Sequence, residues 1–314
     1  MSSGLSLQKR KSYIPGGIQN MKKNLIYAVL TVLIWSTMAS VVKAILSDIP
    51  NMQTLSVSSV FSFLFLLIVN IKNRKLKTLK SYKQKDIFAM CGLGFFGLFL
   101  YSALYYYGLA VLTAQEACIL NYLWPIMLVV FSCILLKEKM TIMKAAAMLC
   151  SFFGIIILSL GGGSPPSIGV VFGMAACILA SVCYGLFSVL NKKADYDQNI
   201  SMMFIWLTTA VCAAIFGLFT EKWIPIQGPQ WLGILWLGVI VDGLAYLLWA
   251  LALNSSKSTA VIANLAYLTP FLSLIVSAIF LKEALQPKAL LALIFIIGGV
   301  LLQNYFEFKP KKKA

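Results

Sequence analysis

Residues 113–136 read TAQEACILNYLWPIMLVVFSCILL, and residues 259–281 read TAVIANLAYLTPFLSLIVSAIFL. Each stretch is apolar over enough length to cross a hydrocarbon core about 30 Å thick, which takes about 20 residues of helix. A shift of 145 positions lays Tyr122-Leu123-Trp124-Pro125 on Tyr267-Leu268-Thr269-Pro270, Lys137-Glu138 on Lys282-Glu283, and Gly154 on Gly299. Self-similarity at a fixed offset marks an internal repeat. At nearby offsets Trp35 and Lys43 fall on Tyr184 and Lys192, and Gly94 and Tyr105 on Gly238 and Trp249. The chain reads as two related halves.

Outward from these two stretches, apolar runs recur along the whole sequence. Ten are expected, near 25–46, 52–71, 86–109, 113–136, 141–160, 168–191, 200–220, 230–253, 259–281 and 288–308. This predicts an all-α integral membrane protein. Five spans per half is an odd number, so the halves must enter the bilayer in opposite directions, as inverted repeats around a central cavity. The expected segments are a cytoplasmic N-terminal tail over 1–21, a first five-helix repeat over 22–161, a second over 162–308 and a basic cytoplasmic C-terminal tail over 309–314. Residues 1–20 are polar and lack the apolar core and cleavage site of a signal peptide. Met21-Lys22-Lys23, followed at once by the first run, reads as a natural start.

Composition agrees. Hydrophobic residues make up 60% of the chain, charged residues 11%, and the mean hydropathy is +0.88. A soluble domain holds roughly 45–50% apolar residues even with glycine counted. The excess must face lipid. The net charge of +16 would suggest nucleic acid in a soluble protein, but the basic residues lie between the apolar runs, so no nucleic-acid partner is expected. With the N-terminus inside, 22 of the 26 Lys and Arg fall on the cytoplasmic side, leaving Lys43, Lys222, Lys282 and Lys288 outside. That asymmetry predicts N-in and C-in, in the inner membrane of a bacterium.

Several chemistries are excluded. There is no His, which removes a Ser-His-Asp triad, a Cys-His pair and His-ligated metal centres. Gly161-Gly162-Gly163 runs into Ser164-Pro165-Pro166 and forms no phosphate-binding loop. The seven Cys all lie in apolar runs, without a CxxC, and read as small core residues. An intramembrane enzyme would need a nucleophile–base pair or paired acids on one helix, and no such motif is present. No cofactor and no metal are expected. The partners expected are a small-molecule substrate and the bilayer; a monomer is compatible with the sequence, which leaves the oligomeric state open.

Ile34-Trp35-Ser36-Thr37-Met38, Glu116 nine residues before the proline of Asn121-Tyr122-Leu123-Trp124-Pro125, and Ala245-Tyr246-x-x-Trp249, set in ten runs as five plus five, resemble the EamA-type branch of the drug/metabolite transporter superfamily. Within it they are similar to the YddG-type aromatic amino acid exporters. The resemblance spans about residues 22–308. It implies a basket of helices around a cavity lined by aromatic groups, with the outermost helix of each half bracing the rest.

The candidate site follows from position within the spans. Trp35, Tyr122, Trp124, Tyr184, Tyr246, Trp249 and Tyr267 fall inside apolar runs, where an indole N–H or phenol O–H needs a partner, while Trp223 and Trp231 flank runs as an interfacial belt would. Ordinary helix packing is the alternative reading of the set. Pro125 and Pro270 each remove a backbone donor and are expected to kink their helices, freeing a carbonyl for a polar substrate group. Asn121 and Asn264 lie within a turn or two of them and suit a zwitterionic amino acid. Lys43 and Glu116 fall near the outer ends of their runs, where Lys43 is expected to snorkel, and Glu116, which matches the family pattern, to pair with Lys43 or to meet a substrate ammonium. Asp242 lies mid-span with no cation at its depth and no counterpart in the family pattern, which suggests proton coupling. Gly92, Gly94, Gly97, Gly169, Gly173, Gly298 and Gly299 are expected to let helices approach closely. The function expected is export of amino acids or other small metabolites by alternating access, the alternative being a multidrug or nucleoside-type carrier on the same fold.

Overall fold

The computed structural model describes residues 18–135, 137, 142, 145–146, 149–150, 153–154, 157, 167–194, 196–254, 265–266 and 268–308. Regular structure among the described residues is helical throughout. In chain order it comprises α1 (Ile18–Leu46), α2 (Asn51–Lys72), α3 (Gln84–Leu93) passing through a π-helical segment Gly94–Phe99 into α4 (Leu100–Val111), α5 (Ala114–Asn121) and α6 (Trp124–Leu135). Then follow α7 (Ile168–Ala194), α8 (Gln198–Thr220), α9 (Gly228–Leu235) passing through a second π-helical segment Trp236–Ala245 into α10 (Tyr246–Asn254), α11 (Leu268–Phe280) and α12 (Pro287–Phe308). Seven helical stretches are long and apolar enough to cross a membrane, and Leu268–Phe280 and Pro287–Gly299 are shorter apolar helices. Most of the expected span at 141–160 lies outside the described residues.

The bundle core is largely apolar, with Leu55, Leu66, Tyr106 and Trp206 buried, but α2 also sets many small polar residues inward. On α2 the buried face is Thr54, Ser56, Ser58, Ser59, Ser62 and Asn70, while Val60, Leu64, Ile68 and Ile71 form an exposed stripe spaced one helical turn apart. Such a helix packs by close approach of small polar residues and gives its large apolar ones to lipid. Ser56 Oγ donates to the carbonyl of Ala210 on α8 at 3.1 Å, and Ser62 Oγ to that of Gly238 at 2.7 Å. The bundle core sets α2 against α8, α4 and α6 against α7, and α1 against α10 and α11.

Two π-helical segments occupy corresponding places, each in the helix that follows a short turn after α2 or α8. Gly94 opens the first; a Cβ there would meet Ile205 O and Thr208 Cβ on α8, both at 2.8 Å. Gly238 lies in the second, where a Cβ would meet Ser58 O on α2 at 2.4 Å. Both glycines are therefore close-approach positions, as expected, and so are Gly97 and Gly173. Gly92 and Gly298 are corrections: a Cβ at either meets nothing within 4 Å, and at Gly169 only Ser167 Oγ at 4.0 Å.

The helix ends are tied in a pattern that repeats. At α2, Pro50 has no side-chain acceptor to offer, and the free amides of Met52 and Gln53 donate instead to the Glu221 carboxylate at 3.0 and 3.3 Å. The Gln53 amide closes a ring of two hydrogen bonds with the backbone of Ile224, at 2.6 and 2.9 Å. At α5 the amides of Ala114 and Gln115 donate to Glu283 at 2.9 and 3.4 Å, and Gln115 bonds the backbone of Ala284 and Gln286 at 3.0 and 3.5 Å. Each acid sits just after one helix and covers the positive end of another. Lys137 and Lys282, matched by the repeat, share a left-handed φ of 56°.

At the end that carries the basic segment 72–85, Asp197 caps α8 by accepting from Asn199 N at 2.9 Å and Ile200 N at 3.4 Å, and pairs with Lys75 at 2.8 Å. Its backbone N–H donates to Tyr82 Oη at 3.0 Å. Burial by itself would raise the Asp197 pKa, but the Lys75 and Asn199 hydrogen bonds and the Lys75 charge outweigh it and hold the carboxyl below its ordinary range.

Candidate functional site: an aromatic cavity inside the bundle

The cavity forms where α1, α4, α5, α7 and α10 meet. α5 and α6 do not form one helix kinked at Pro125: α5 ends at Asn121, Tyr122-Leu123 make a turn, and Pro125 is the second residue of α6. Proline is tolerated in a first turn because its missing N–H would have had no helical partner. The break turns Asn121, Tyr122 and Trp124 inward together. Pro270 likewise falls in the first turn of α11, next to Thr269.

The lining is Trp35, Met38 and Ala39 from α1; Tyr101 and Tyr105 from α4; Cys118 and Asn121 from α5, with Tyr122, Trp124, Tyr184, Tyr246 and Thr269. The rings touch in a branched chain centred on Tyr184. Trp35 meets Tyr246 at 5.1 Å, Tyr246 meets Tyr184 at 6.1 Å, and Tyr184 meets Tyr101 at 5.0 Å and Trp124 at 5.2 Å. These are separations at which edge-to-face and tilted aromatic pairs attract. Trp206 backs Tyr246 at 5.6 Å. The cavity measures about 40 Å³. A water takes roughly 30 Å³ of liquid volume, so an amino acid enters only if the rings part.

Polar capacity inside the ring of aromatics is small and partly unused. Asn121 Nδ2 donates to Tyr101 Oη at 3.1 Å, while its Oδ1 and the Trp35 indole N–H are buried without a hydrogen-bond partner among the described residues. A buried polar atom costs about 1–3 kcal/mol when unsatisfied, which a ligand that hydrogen-bonds it recovers.

Six expected site residues, Trp35, Asn121, Tyr122, Trp124, Tyr184 and Tyr246, line this one cavity. Trp249 stands behind Trp35 at 5.2 Å, packed with Ala28, Ala252 and Ala266, and is not part of the lining. Asn264 and Tyr267 lie outside the described residues. Asp242 is 1% exposed on the second π-helical segment, within electrostatic reach of Tyr101, Tyr106 and Tyr246, and its Oδ2 has no hydrogen-bond partner among the described residues. Tyr101, Tyr105, Met38, Cys118 and Thr269 were not foreseen. The signal for the tyrosines was their i, i+4 spacing, which puts both on one helical face.

Glu116, expected at the substrate, sits at the end of the bundle opposite Lys75. Its Oε1 pairs with Lys288 of α12 at 3.0 Å and its Oε2 closes the capping box with Thr113. Lys43 forms no ion pair among the described residues; its Nζ donates to the carbonyls of Leu109, at 2.9 Å, and Leu112, covering the carboxyl end of α4, with Glu283 and Glu116 within electrostatic reach. Together with the Glu283 clasp, these groups lash α1, α4, α5 and α12 directly above the cavity.

A multi-pass helical bundle with exposed apolar outer residues and a small aromatic-lined cavity inside it is built as a membrane carrier. The model of the EamA-like transporter family matches residues 22–160 and again 171–305, and the chain belongs to that family. It is 30% identical over 213 residues to the uncharacterized transporter YvbV of Bacillus subtilis (strain 168), covering 66% of this chain and 68% of that protein. It is 27% identical over 211 residues to the aromatic amino acid exporter YddG of Ancylobacter novellus, covering 66% and 72%. A solved crystal structure shares the fold with a TM-score of 0.67 at 20% identity, covering 91% of this chain and 97% of the other.

Proposed function

We propose that the chain exports amino acids with aromatic or other apolar side chains across the inner membrane of a bacterium, by alternating access between two inverted five-helix halves. The observation that carries this reading is the cluster of rings around unsatisfied polar atoms: Trp35, Tyr101, Trp124, Tyr184 and Tyr246 line the cavity with flat groups, and Asn121 Oδ1 and the Trp35 indole offer hydrogen bonds. Side chain to ring and polar head to amide is a complementary fit. The YddG relative, an aromatic amino acid exporter, points the same way.

The two-halves arrangement is supported by the doubled family match, by matched π-helical segments holding Gly94 and Gly238, and by the left-handed Lys137 and Lys282. An N-in, C-in orientation places Lys75 and Asp197 in the cytoplasm and the Glu116–Lys288 pair outside. With that outer end lashed, the transition to an outward-open form must break the pair. Asp242 is assigned to proton coupling: it ionises only when an opening conformation admits water beside Tyr101 and Tyr246.

The test is efflux from proteoliposomes loaded with a panel of labelled amino acids, with and without a pH gradient. Phenylalanine and tryptophan should leave faster than glutamate or lysine, and Asp242→Asn should lose the gradient-driven component while keeping exchange. Transport of nucleosides or cationic drugs in place of amino acids would favour the multidrug or nucleoside reading, and intact gradient-driven transport in Asp242→Asn would make that carboxyl structural.

A further inference from the structure

A second cavity lies away from the aromatic site, between α3 and α7 near the basic end of the bundle. It measures about 410 Å³ and is walled by Gly92, Phe96 and Gly97 on one side and Leu186, Phe187 and Leu190 on the other. Phe96 is 62% exposed on its rim, so the groove opens sideways to the bilayer. Its walls are almost wholly apolar, and water held there would lack the two to four polar partners it needs. Gly97 keeps the floor low: a Cβ would meet the Phe187 ring at 2.3 Å.

Ala89, Ala194 and Tyr196 complete the lining at the ends of α3 and α7 that lie toward the basic segment, and a basic residue stands close in sequence to each alanine. Lys85 is one helical turn before Ala89, and Lys193 is next to Ala194. Both are exposed, and neither forms an ion pair among the described residues. The nearby acid Asp86 is turned back on its own helix, accepting from Lys83 N at 2.9 Å. We propose that the groove is a lipid site, holding one acyl chain of an anionic phospholipid whose phosphate rests on Lys85 and Lys193. A second copy of the chain is the poorer occupant, because copies in one membrane would bring their basic ends, with seven Lys and Arg in 72–85 alone, against each other. The site is not isolated from transport. Phe187, the inner wall, stacks on Tyr184 of the aromatic cavity at 5.9 Å, so a seated chain holds one ring of the substrate site in place.

Gly92 supplies the variant that separates the outcomes: it lines the groove, and a Cβ added there meets nothing within 4 Å among the described residues, which leaves room for the larger side chain to start into the groove. Gly298 on α12 is equally open and serves as the control. The full chain is placed in nanodiscs of equal phosphatidylglycerol and phosphatidylcholine, released into detergent, and its retained lipids counted by native mass spectrometry. The wild type and Gly298→Phe should keep one phosphatidylglycerol that Gly92→Phe loses. Lys85→Gln with Lys193→Gln should lower the preference for phosphatidylglycerol roughly thirtyfold, about fivefold for each basic group next to an anionic surface. Equal retention by Gly92→Phe, or no headgroup preference in the wild type, overturns the proposal. So does a change of oligomeric mass in Gly92→Phe, which would make the groove a contact between copies.

Discussion

Substituting Glu116 by Gln tests the lashing above the cavity with little collateral change. Gln keeps the capping box with Thr113, since that motif accepts either residue, and removes only the charge that Lys288 meets at 3.0 Å. The two side chains are 27% and 19% exposed, so the pair is less screened than a surface one. Exposed pairs contribute about 0.2–1 kcal/mol, and the upper end, about 1 kcal/mol, is the fitting value here. If the pair exists only while the outer end is closed, its loss raises the open population about fivefold. Cys118 reports this directly: it lies two residues further along α5, lines the cavity and is 4% exposed. With the other six cysteines replaced, Cys118 should react with an impermeant thiol reagent added outside about fivefold faster in Glu116→Gln or Lys288→Met. The double variant should be no faster than either single, because both remove one interaction. An unchanged rate in the singles, or about a 25-fold gain in the double, would refute the reasoning.

Three further outcomes follow from other parts of the bundle. Asp197→Asn keeps the cap on α8, as Asn caps as well as Asp, but loses the Lys75 pair. Because the folded carboxyl titrates below its ordinary value, the pair stabilises above the ordinary carboxylate pKa of about 3.9 and is lost as pH falls through the folded value; the Tm gap between variant and wild type should be open at pH 7 and close below about pH 4. Gly238→Ala should cost about 1–3 kcal/mol, read as a lower Tm, since its Cβ would meet Ser58 O at 2.4 Å, whereas Gly298→Ala should cost almost nothing. Cysteine at position 75 or 311 should escape impermeant labelling from outside intact cells, and labelling of either would reverse the proposed orientation.

The spans were legible because lipid imposes a length. The expected runs 52–71, 113–136 and 200–220 fall on Asn51–Lys72, Ala114–Leu135 and Gln198–Thr220. The aromatic lining was legible for rings standing alone within a run, such as Trp35 and Tyr184. It was not legible for Tyr105-Tyr106-Tyr107, where helix rotation decides the outcome: Tyr105 and Tyr106 are buried and Tyr107 is 39% exposed. The π-helical segments leave no mark in sequence beyond Gly94 and Gly238, because a shift from i+4 to i+5 bonding is a backbone event. Glu116 was legible as a residue near the outer end of its run, but its ion-pair partner was not. Its partner Lys288 is 172 residues away, and the clasps of Glu221 and Glu283 span 168 to 169, distances over which one sequence records no pairing.

Whether the aromatic cavity is where substrate binds is decided most directly by counterflow. Proteoliposomes loaded with unlabelled phenylalanine take up labelled phenylalanine from outside, and the half-saturating concentration is measured for the wild type, Trp35→Ala and Trp249→Ala. Stacking on a ring contributes about 0.5–1.5 kcal/mol beyond buried area. Trp35→Ala, which opens the lining, should raise half-saturation roughly two- to twelvefold, and Trp249→Ala, one layer behind, should raise it less. Half-saturation unchanged in Trp35→Ala would mean that the rings only pack helices and that substrate crosses elsewhere.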